Sequence, residues 1–459
     1  QLPGGAVYSA AGACLWPPAI AILRRETYGN YPGAAAILKC VYEGLLVPFD
    51  TALKVERRYF TEIMQTREAA AMIRSLFISL QELNKGARRP AGQPDTKFKK
   101  IGVLGAGFMG AGIAYVTAKA GIPVVLLDRD VPSAEKGKAH SDALVSEQVK
   151  KGRAKPEGRE KLLSLITPTA DYADLAGCDL VVEAVFEDSE VKKGATEKAE
   201  AVLKSSAIFA SNTSTIPITG LAKNSSRPKN FIGIHFFSPV DKMMLVEIIL
   251  GKKTGDKAIA TAVDYVRAIK KTPIVVNDTR GFYVNRCVLR YMSESYQMLI
   301  EGVPAAMIEN AAKMAGMPVG PLALTDETAI DLAQKIMKQT IRDLGDRAVD
   351  KEQFALINTL VDKHQRFGRK NGKGFYDYPP KPAKKKLWPG LKDLYPQKAP
   401  EKVDYEELQQ RLLTVIALEA ARVMEEGIVT DPREADVGSI LAFGFAPYTG
   451  GALSYIDGI

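Results

Sequence analysis

Three histidines occur in the 459 residues: His140, His235 and His364. A side chain that takes or gives a proton near pH 7 is most simply a histidine, so these three bound where acid–base chemistry can sit. His140 lies in a charged helical stretch and His364 in DKHQRFGRK, both surface contexts. His235 lies in FIGIHFFSP, among isoleucine and phenylalanine. By itself such a residue reads as a core histidine satisfied by backbone. Glu247 changes that reading. If residues 231–237 and 245–249 form a hairpin, Asp241 is midway between His235 and Glu247, and the two become near-opposite cross-strand neighbours. A carboxylate beside an imidazole fixes its tautomer and stabilises the imidazolium. The competing reading of Glu247 is a polar residue on the solvent face of its strand.

A dinucleotide site is legible in KKIGVLGAGFMGAGIAYVTAKAGIPVVLLDRD, Lys99 to Asp130. Ile101 to Leu104 reads as a buried strand, and Gly105, Gly107 and Gly110 follow in G-x-G-x-x-G spacing. Met109 to Ala120 is helical in pattern and Gly121 stops it. A second strand, Val124 to Leu127, ends in Asp128. Gly105 permits the tight turn, Gly107 lets backbone approach a pyrophosphate, and Gly110 lets helix and strand pack closely. The helix N-terminus offers N–H groups to phosphate charge, and Asp128 is placed to accept from a ribose diol. Asp128 would repel a 2′-phosphate, which favours NAD over NADP; Arg129 beside it pulls the other way.

Hydride transfer from an alcohol to NAD requires a base for the hydroxyl proton and donors that hold the oxygen. Ser214, after the strand Ile208 to Ser211, can supply a hydroxyl, and Asn285, after Arg280-Gly281-Phe282, an amide. Taken alone, Ser214 is a turn residue and Asn285 a helix-start cap. Glu187 and Lys192 follow the strand Leu180 to Val185, where a strand's carboxyl end faces a cofactor.

Hydrophobic content of 46% and charged content of 25% place the chain among ordinary globular proteins, with roughly two to four domains. Cys14, Cys40, Cys178 and Cys287 are far apart and form no C-x-x-C pair. Neither a zinc site nor a disulfide framework is expected, and a reducing, cytoplasmic compartment fits. The net charge of +9 comes from basic residues that are scattered or lie in linkers, which reads as solvated surface rather than a nucleic-acid face. A phosphate-rich substrate would welcome it. Ala6 to Leu23 is apolar, but Pro17 and Pro18 interrupt it and no basic segment precedes it, so it is a poor signal peptide and a poor membrane span. The first residue, Gln1, is expected to lie inside a longer protein.

Residues 1–95 look helical, over Gly33 to Leu46, Pro48 to Met64 and Glu68 to Asn84, the last with Met72, Leu76, Phe77 and Leu80 on one face. Lys85 to Thr96 is a linker. Residues 97–280 alternate strands and helices, hence a mostly parallel sheet. Ser133 is expected to cap the helix running to Lys151, and further strands are read at Phe231 to Phe237, Leu245 to Ile249 and Ile274 to Val276. From Gly281 the pattern is helical and contains an internal repeat, EGVPAAMIENAAKMAGMPVGPLALTDETAID from Glu301 and EGIVTDPREADVGSILAFGFAPYTGGALSYID from Glu426. Each copy follows a long amphipathic helix. Tyr378 to Lys402, which contains Lys384-Lys385-Lys386, reads as a solvated spacer.

The ordered set GVLGAGFMGAGIA, VVEAVFED, ASNTST, GIHFFSPV, LVEII, DTRGFYVNR and GRKNGKGFYDY resembles the 3-hydroxyacyl-CoA dehydrogenase part of multifunctional fatty-acid β-oxidation enzymes, of the bacterial fatty-acid oxidation complex α-subunit type. The resemblance covers about residues 97–459. It implies a Rossmann-like α/β domain (96–280), followed by a duplicated all-helical C-terminal domain (281–380 and 403–459). Residues 1–95 resemble the end of an enoyl-CoA hydratase/isomerase domain and its connecting helix; the part carrying the hydratase carboxylates is absent, so no hydratase activity is expected. Carried over by position, His235 is the catalytic base, Glu247 its paired acid, and Ser214 and Asn285 touch substrate and cofactor. Met109, Asp128, the Val185 to Glu187 stretch and Lys192 match NAD contacts. Ser238 stands where many relatives have Asn near the nicotinamide, a departure that changes that contact.

The expected activity is NAD-dependent oxidation of a (3S)-hydroxyacyl-CoA to the 3-ketoacyl-CoA. No metal is needed, because nicotinamide is the electron sink. The acyl-CoA is expected between the sheet domain and the helical repeats, and a thiolase subunit is a compatible partner. One alternative is a dehydrogenase of a β-hydroxy acid lacking CoA. Many of these use a lysine base, and no such lysine replaces GIHFFSP. The other is a non-catalytic NAD-binding relative, against which the joint presence of His235, Glu247, Ser214 and Asn285 argues.

Overall fold

A computed structural model of the chain describes residues 6–459. The readings that fall on residues 1–5, the start at Gln1 and the first part of the N-terminal helical segment, lie outside the described residues. Eight short strands, β1 (Ile101–Leu104), β2 (Val124–Leu127), β3 (Ile166–Thr169), β4 (Leu180–Glu183), β5 (Ile208–Ser211), β6 (Phe231–Phe236), β7 (Leu245–Leu250) and β8 (Thr272–Asn277), form one sheet in the order β3-β2-β1-β4-β5-β6-β7-β8. Strands β1 to β6 pair in parallel, β7 is antiparallel to β6, and β8 is parallel to β7. Strands β1, β2, β4 and β5 are buried along their whole length, as a parallel sheet covered on both faces requires. The strand order reverses between β1 and β4. Ligands of such sheets bind at that point, beyond the strands' carboxyl ends.

The N-terminal helices are α1 (Ala10–Thr27), α2 (Pro32–Gly44), α3 (Phe49–Met64), α4 (Arg67–Met72) and α5 (Leu80–Asn84), with a π-helical turn, Ile73–Ser79, between the last two. That turn corrects the expected face. Bonding to the fifth residue shifts the phase of the helix, so Ser75, Ser79 and Leu83 are buried while Phe77 is exposed. Around the sheet lie α6 (Phe108–Lys119), α7 (Val131–Lys150), α8 (Pro156–Ser164), α9 (Ser189–Val202), α10 (Ile218–Leu221) and α11 (Asp256–Ala268). The cap of α7 is Asp130, not Ser133: its carboxylate accepts from the Ser133 N–H at 2.7 Å. The linker after α5 is tied down by Arg89, which pairs with Asp264 of α11 at 2.8 Å.

The remaining helices are α12 (Val284–Ile300), α13 (Ala305–Met314), α14 (Pro321–Thr328), α15 (Ile330–Leu344), α16 (Lys351–Asn358), α17 (Leu391–Leu394), α18 (Tyr405–Glu425), α19 (Pro432–Phe443) and α20 (Ala452–Ile456). Each repeat copy therefore follows a long helix, α12 or α18, and its first helix is a shorter one, α13 or α19. In the lysine run before α17, Lys385 is not merely solvated: its ammonium lies over the Tyr376 and Tyr378 rings, 4.4 and 5.6 Å from their centroids. The chain divides into two compact units. One holds residues up to Arg74 with Cys287–Ala421 and Phe443–Ile459; the other holds Ser75–Arg286 with Arg422–Ala442. The second unit contains the sheet. Among the described residues no helix is long and apolar enough to cross a membrane.

Close packing at the first turn makes one residue critical. A Cβ on Gly110 would stand 1.7 Å from the Gly105 carbonyl oxygen, which backbone cannot yield. Gly110→Ala is expected to destabilise by about 1–3 kcal/mol or more through overpacking, read as a lower urea midpoint, and to weaken NAD binding in calorimetry.

Candidate active site

Strands β6 and β7 deliver the imidazole and the carboxylate. Their register pairs His235 directly with Glu247. His235 Nδ1 lies 2.8 Å from Glu247 Oε2, both side chains being buried. A carboxylate only accepts, so with Glu247 in that form the ring proton of this contact sits on Nδ1 and Nε2 keeps its lone pair. The Phe237 and Phe282 rings flank the imidazole, with centroids 4.5 and 5.9 Å away. Glu247 Oε1 accepts from the backbone N–H groups of Tyr283 (3.2 Å) and Val284 (2.9 Å), where α12 begins. Positive φ at Gly281 (73°) and Phe282 (52°) turns the chain into that position.

The loop after β5 is held by Glu187, whose Oε1 accepts from the Thr213 hydroxyl at 2.6 Å and from the Ser214 N–H at 2.9 Å. Asn285 Nδ2 donates to the Ser214 carbonyl at 2.9 Å. Ser214 and Asn285 thus meet, with the amide clasping the loop that carries the hydroxyl. Below them is a charge cluster in which Lys192 and Glu183 are buried and Glu187 reaches solvent. Lys192 Nζ lies 2.9 Å from Glu183 Oε1 and 3.1 Å from Glu187 Oε2. Glu183 also accepts from Val185 N (2.8 Å) and Ser211 Oγ (2.7 Å). Burial alone would raise the Glu187 carboxyl, but the Lys192 charge and the bonds from Thr213 and Ser214 outweigh it and hold it below the usual carboxylate range.

The Gly-rich turn fits a dinucleotide. Gly105 takes φ +89°, and a Cβ there would stand 2.6 Å from the Ala184 carbonyl oxygen across the β1–β4 switch point. A Cβ on Gly107 would meet nothing within 4 Å, which leaves backbone open to a phosphate. Asp128 accepts from the Ala106 N–H at 2.6 Å, tying the end of β2 to the turn. A cleft of about 500 Å³ opens there, lined by Gly107, Phe108, Asp128, Arg129, Lys136 and His140 among others. Met109 packs against the sheet core. Among the described residues Met109, Val185 and Ser238 bring no side-chain hydrogen bond to these groups.

Three supports were given no role by the sequence, although Glu183 and Tyr283 lie within the VVEAVFED and DTRGFYVNR motifs. Glu183 falls inside the strand read over Leu180 to Val185, and the structure makes it the last residue of β4. Tyr283 reads as one more aromatic residue. Lys271 looks like a surface residue in a Lys-Lys pair, yet it is buried and donates to the carbonyls of Val240 (2.6 Å) and Met243, clamping the turn between His235 and Glu247. Burial pushes its ammonium down to about 8.

A doubly wound sheet with a Gly-rich turn, an acid at the end of β2 and a buried His–Glu pair defines an NAD-dependent oxidoreductase. Residues 100–279 match the 3-hydroxyacyl-CoA dehydrogenase NAD binding domain, and residues 281–378 match the 3-hydroxyacyl-CoA dehydrogenase C-terminal domain. The fatty acid oxidation complex subunit alpha of Shewanella baltica (strain OS185) is 39% identical over 437 residues, 95% of this chain and 61% of that protein. The chain thus spans 61% of the length of that curated relative. The crystal structure of (S)-3-hydroxybutyryl-CoA dehydrogenase from Ralstonia eutropha is 33% identical with a TM-score of 0.58, covering 62% of this chain and all (100%) of that one. That of 3-hydroxybutyryl-CoA dehydrogenase from Escherichia coli K12, at 24% identity, shares the fold with a TM-score of 0.68 over 79% of this chain and 92% of that one. The chain belongs to the 3-hydroxyacyl-CoA dehydrogenase family.

The charge cluster can be tested apart from activity. Lys192→Met leaves Glu183 buried without its cation and is expected to cost about 3–5 kcal/mol in urea unfolding. Adding Glu183→Gln should recover much of that loss, because the uncompensated charge is then gone.

Proposed function

We propose that the chain oxidises a (3S)-hydroxyacyl-CoA to the 3-ketoacyl-CoA with NAD, as a step of fatty-acid β-oxidation. The observation that carries this reading is the buried His235–Glu247 pair, 2.8 Å apart, with Nε2 left to act as base. His235 Nε2 takes the proton of the C3 hydroxyl. The Glu247 carboxylate holds Nδ1–H and lowers the energy of the imidazolium as it forms. The Ser214 hydroxyl and the Asn285 amide hold the substrate oxygen while its charge develops. Bound NAD supplies the acceptor for the hydride from C3. Gly105, Gly107, Gly110 and Asp128 bind its phosphates and ribose, and Met109, Val185, Glu187, Lys192 and Ser238 border it.

Residues 1–95 fit the end of a hydratase-type domain with its connecting helix, residues 96–280 the NAD-binding domain, and residues 281–380 and 403–459 the two helical copies. Cys14, Cys40 and Cys178 are free thiols, which supports a reducing, cytoplasmic setting. A thiolase subunit as partner is supported by relatives named as the alpha subunit of a complex.

NADH formation from a 3-hydroxyacyl-CoA, against the free 3-hydroxy acid, tests the proposal. Turnover should require the thioester. His235→Gln should lower kcat by roughly 10²–10⁴-fold, the usual worth of a general base, with NAD affinity unchanged. Activity of the variant within a few-fold of the parent rejects the assignment, and activity on the free acid alone rejects the substrate.

A further inference from the structure

The second helical copy reaches the buried carboxylate from behind. Residues 427–429 run along β8, the edge strand: Val276 and Val429 form an antiparallel bridge, and Asn277 N donates to the Ile428 carbonyl at 2.7 Å. Asn277 Nδ2 donates to the Gly427 carbonyl, also at 2.7 Å. Helix α19 then offers three residues on one face. Glu434 Oε1 accepts from the Val275 N–H at 2.6 Å. The Ala435 carbonyl accepts from the buried Tyr283 hydroxyl at 2.8 Å. Gly438 leaves room for the Tyr283 ring: a Cβ there would stand 3.1 Å from that ring and 3.1 Å from Ile274 Cδ1. Ile274 is the register partner of Glu247 in β8, and the Tyr283 N–H is one of the two that hold Glu247 Oε1.

We propose that Tyr283, seated on α19 through the Ala435 carbonyl and the gap at Gly438, is a positioning residue that sets Glu247 against His235. The phenol is anchored at one end and its backbone N–H grips the carboxylate at the other. A shift of α19 therefore moves the N–H groups of Tyr283 and Val284 together, because α12 starts there. Glu247 is fully buried, so its carboxylate must follow or lose a donor. The second copy thereby contributes to the reaction without touching substrate. This rests on the dehydrogenase reading for its catalytic meaning, while its geometry stands apart from it.

The test is titration of the histidines by NMR in the full chain carrying carbon-13-labelled histidine, with the His235 signal assigned by its loss in His235→Gln. The Glu247 carboxyl is the acid against the ring, whose other neighbours, Phe237 and Phe282, are apolar. Tyr283→Phe keeps the ring and removes the bond to Ala435. It should lower the His235 midpoint by roughly half a pH unit or more as the carboxylate moves away, and lower kcat several-fold with KM for NAD unchanged. Gly438→Ala, which crowds the ring, should give the same signature and serves if the first variant folds poorly. In a Glu247→Gln background neither substitution should move the midpoint further. An unmoved midpoint in both variants, with or without a fall in Tm, overturns the proposal, as does an equal shift when Glu247 is already Gln. The midpoint needs no turnover, so an inactive parent would defeat the dehydrogenase reading while still deciding this one.

Discussion

A carboxylate excluded from water must be given its full set of donors by the fold, and the candidate site is built around one such group. Glu247 receives Nδ1–H of His235 on one oxygen and two backbone N–H groups on the other. An unpaired buried charge costs several kcal/mol, so strand register, turn and helix start are bound to one another through it. The hairpin is what allows the pairing. In a parallel sheet, residues a dozen positions apart cannot face each other, whereas an antiparallel pair joined by a short turn brings them opposite. The one antiparallel step in the sheet, β6 to β7, falls where the imidazole meets its acid.

The same economy governs the neighbouring strand ends. Glu183, at the end of β4, and Glu187, just beyond it, share the Lys192 ammonium, and Glu187 in turn grips the loop of Ser214. Asn285 clasps that loop from the start of α12, the same turn whose N–H groups hold Glu247. The serine hydroxyl, in the loop after β5, and the imidazole, on β6, are thus fixed by one short stretch, residues 281–285. A left-handed Phe282 inside that stretch is the backbone cost of reaching both.

What was legible in the chain is what local constraint imposes. The glycines of the first turn are legible because a positive φ at Gly105 and the crowding at Gly110 exclude other residues. The His235–Glu247 pair is legible because strand alternation and turn length fix it by counting. Strand β3 was not: its ITPT carries Pro168, tolerable only because β3 is an edge strand, a position that the segment itself does not reveal. The roles of Lys271, Glu183 and Tyr283 were hidden for a different reason. Each is an ordinary residue type whose role comes from a distant partner, and the Tyr283–Ala435 bond joins positions 152 residues apart. The π-helical turn at Ile73–Ser79 misled the periodicity because one shifted hydrogen-bond pattern rotates every later side chain.

The two helical copies show how a duplicated unit can come to serve different ends. In the first, buried acids find donors nearby: Glu309 accepts from Leu322 N at 2.8 Å and from the Tyr376 hydroxyl at 2.6 Å, and Asp326 accepts from Phe375 N at 2.7 Å and Tyr376 N at 2.9 Å. That copy closes on itself. In the second, Glu434 spends its buried oxygen on the Val275 N–H of the sheet's edge strand. An edge strand offers unpaired backbone groups that must be covered, and residues 427–435 cover them. The division of the chain follows this difference, since residues 422–442 group with the sheet while the first copy does not. Burial pushes the Glu434 carboxyl up to about 8, so it serves α19 as a buried polar anchor on the sheet's edge strand, in the body that holds the His235–Glu247 pair.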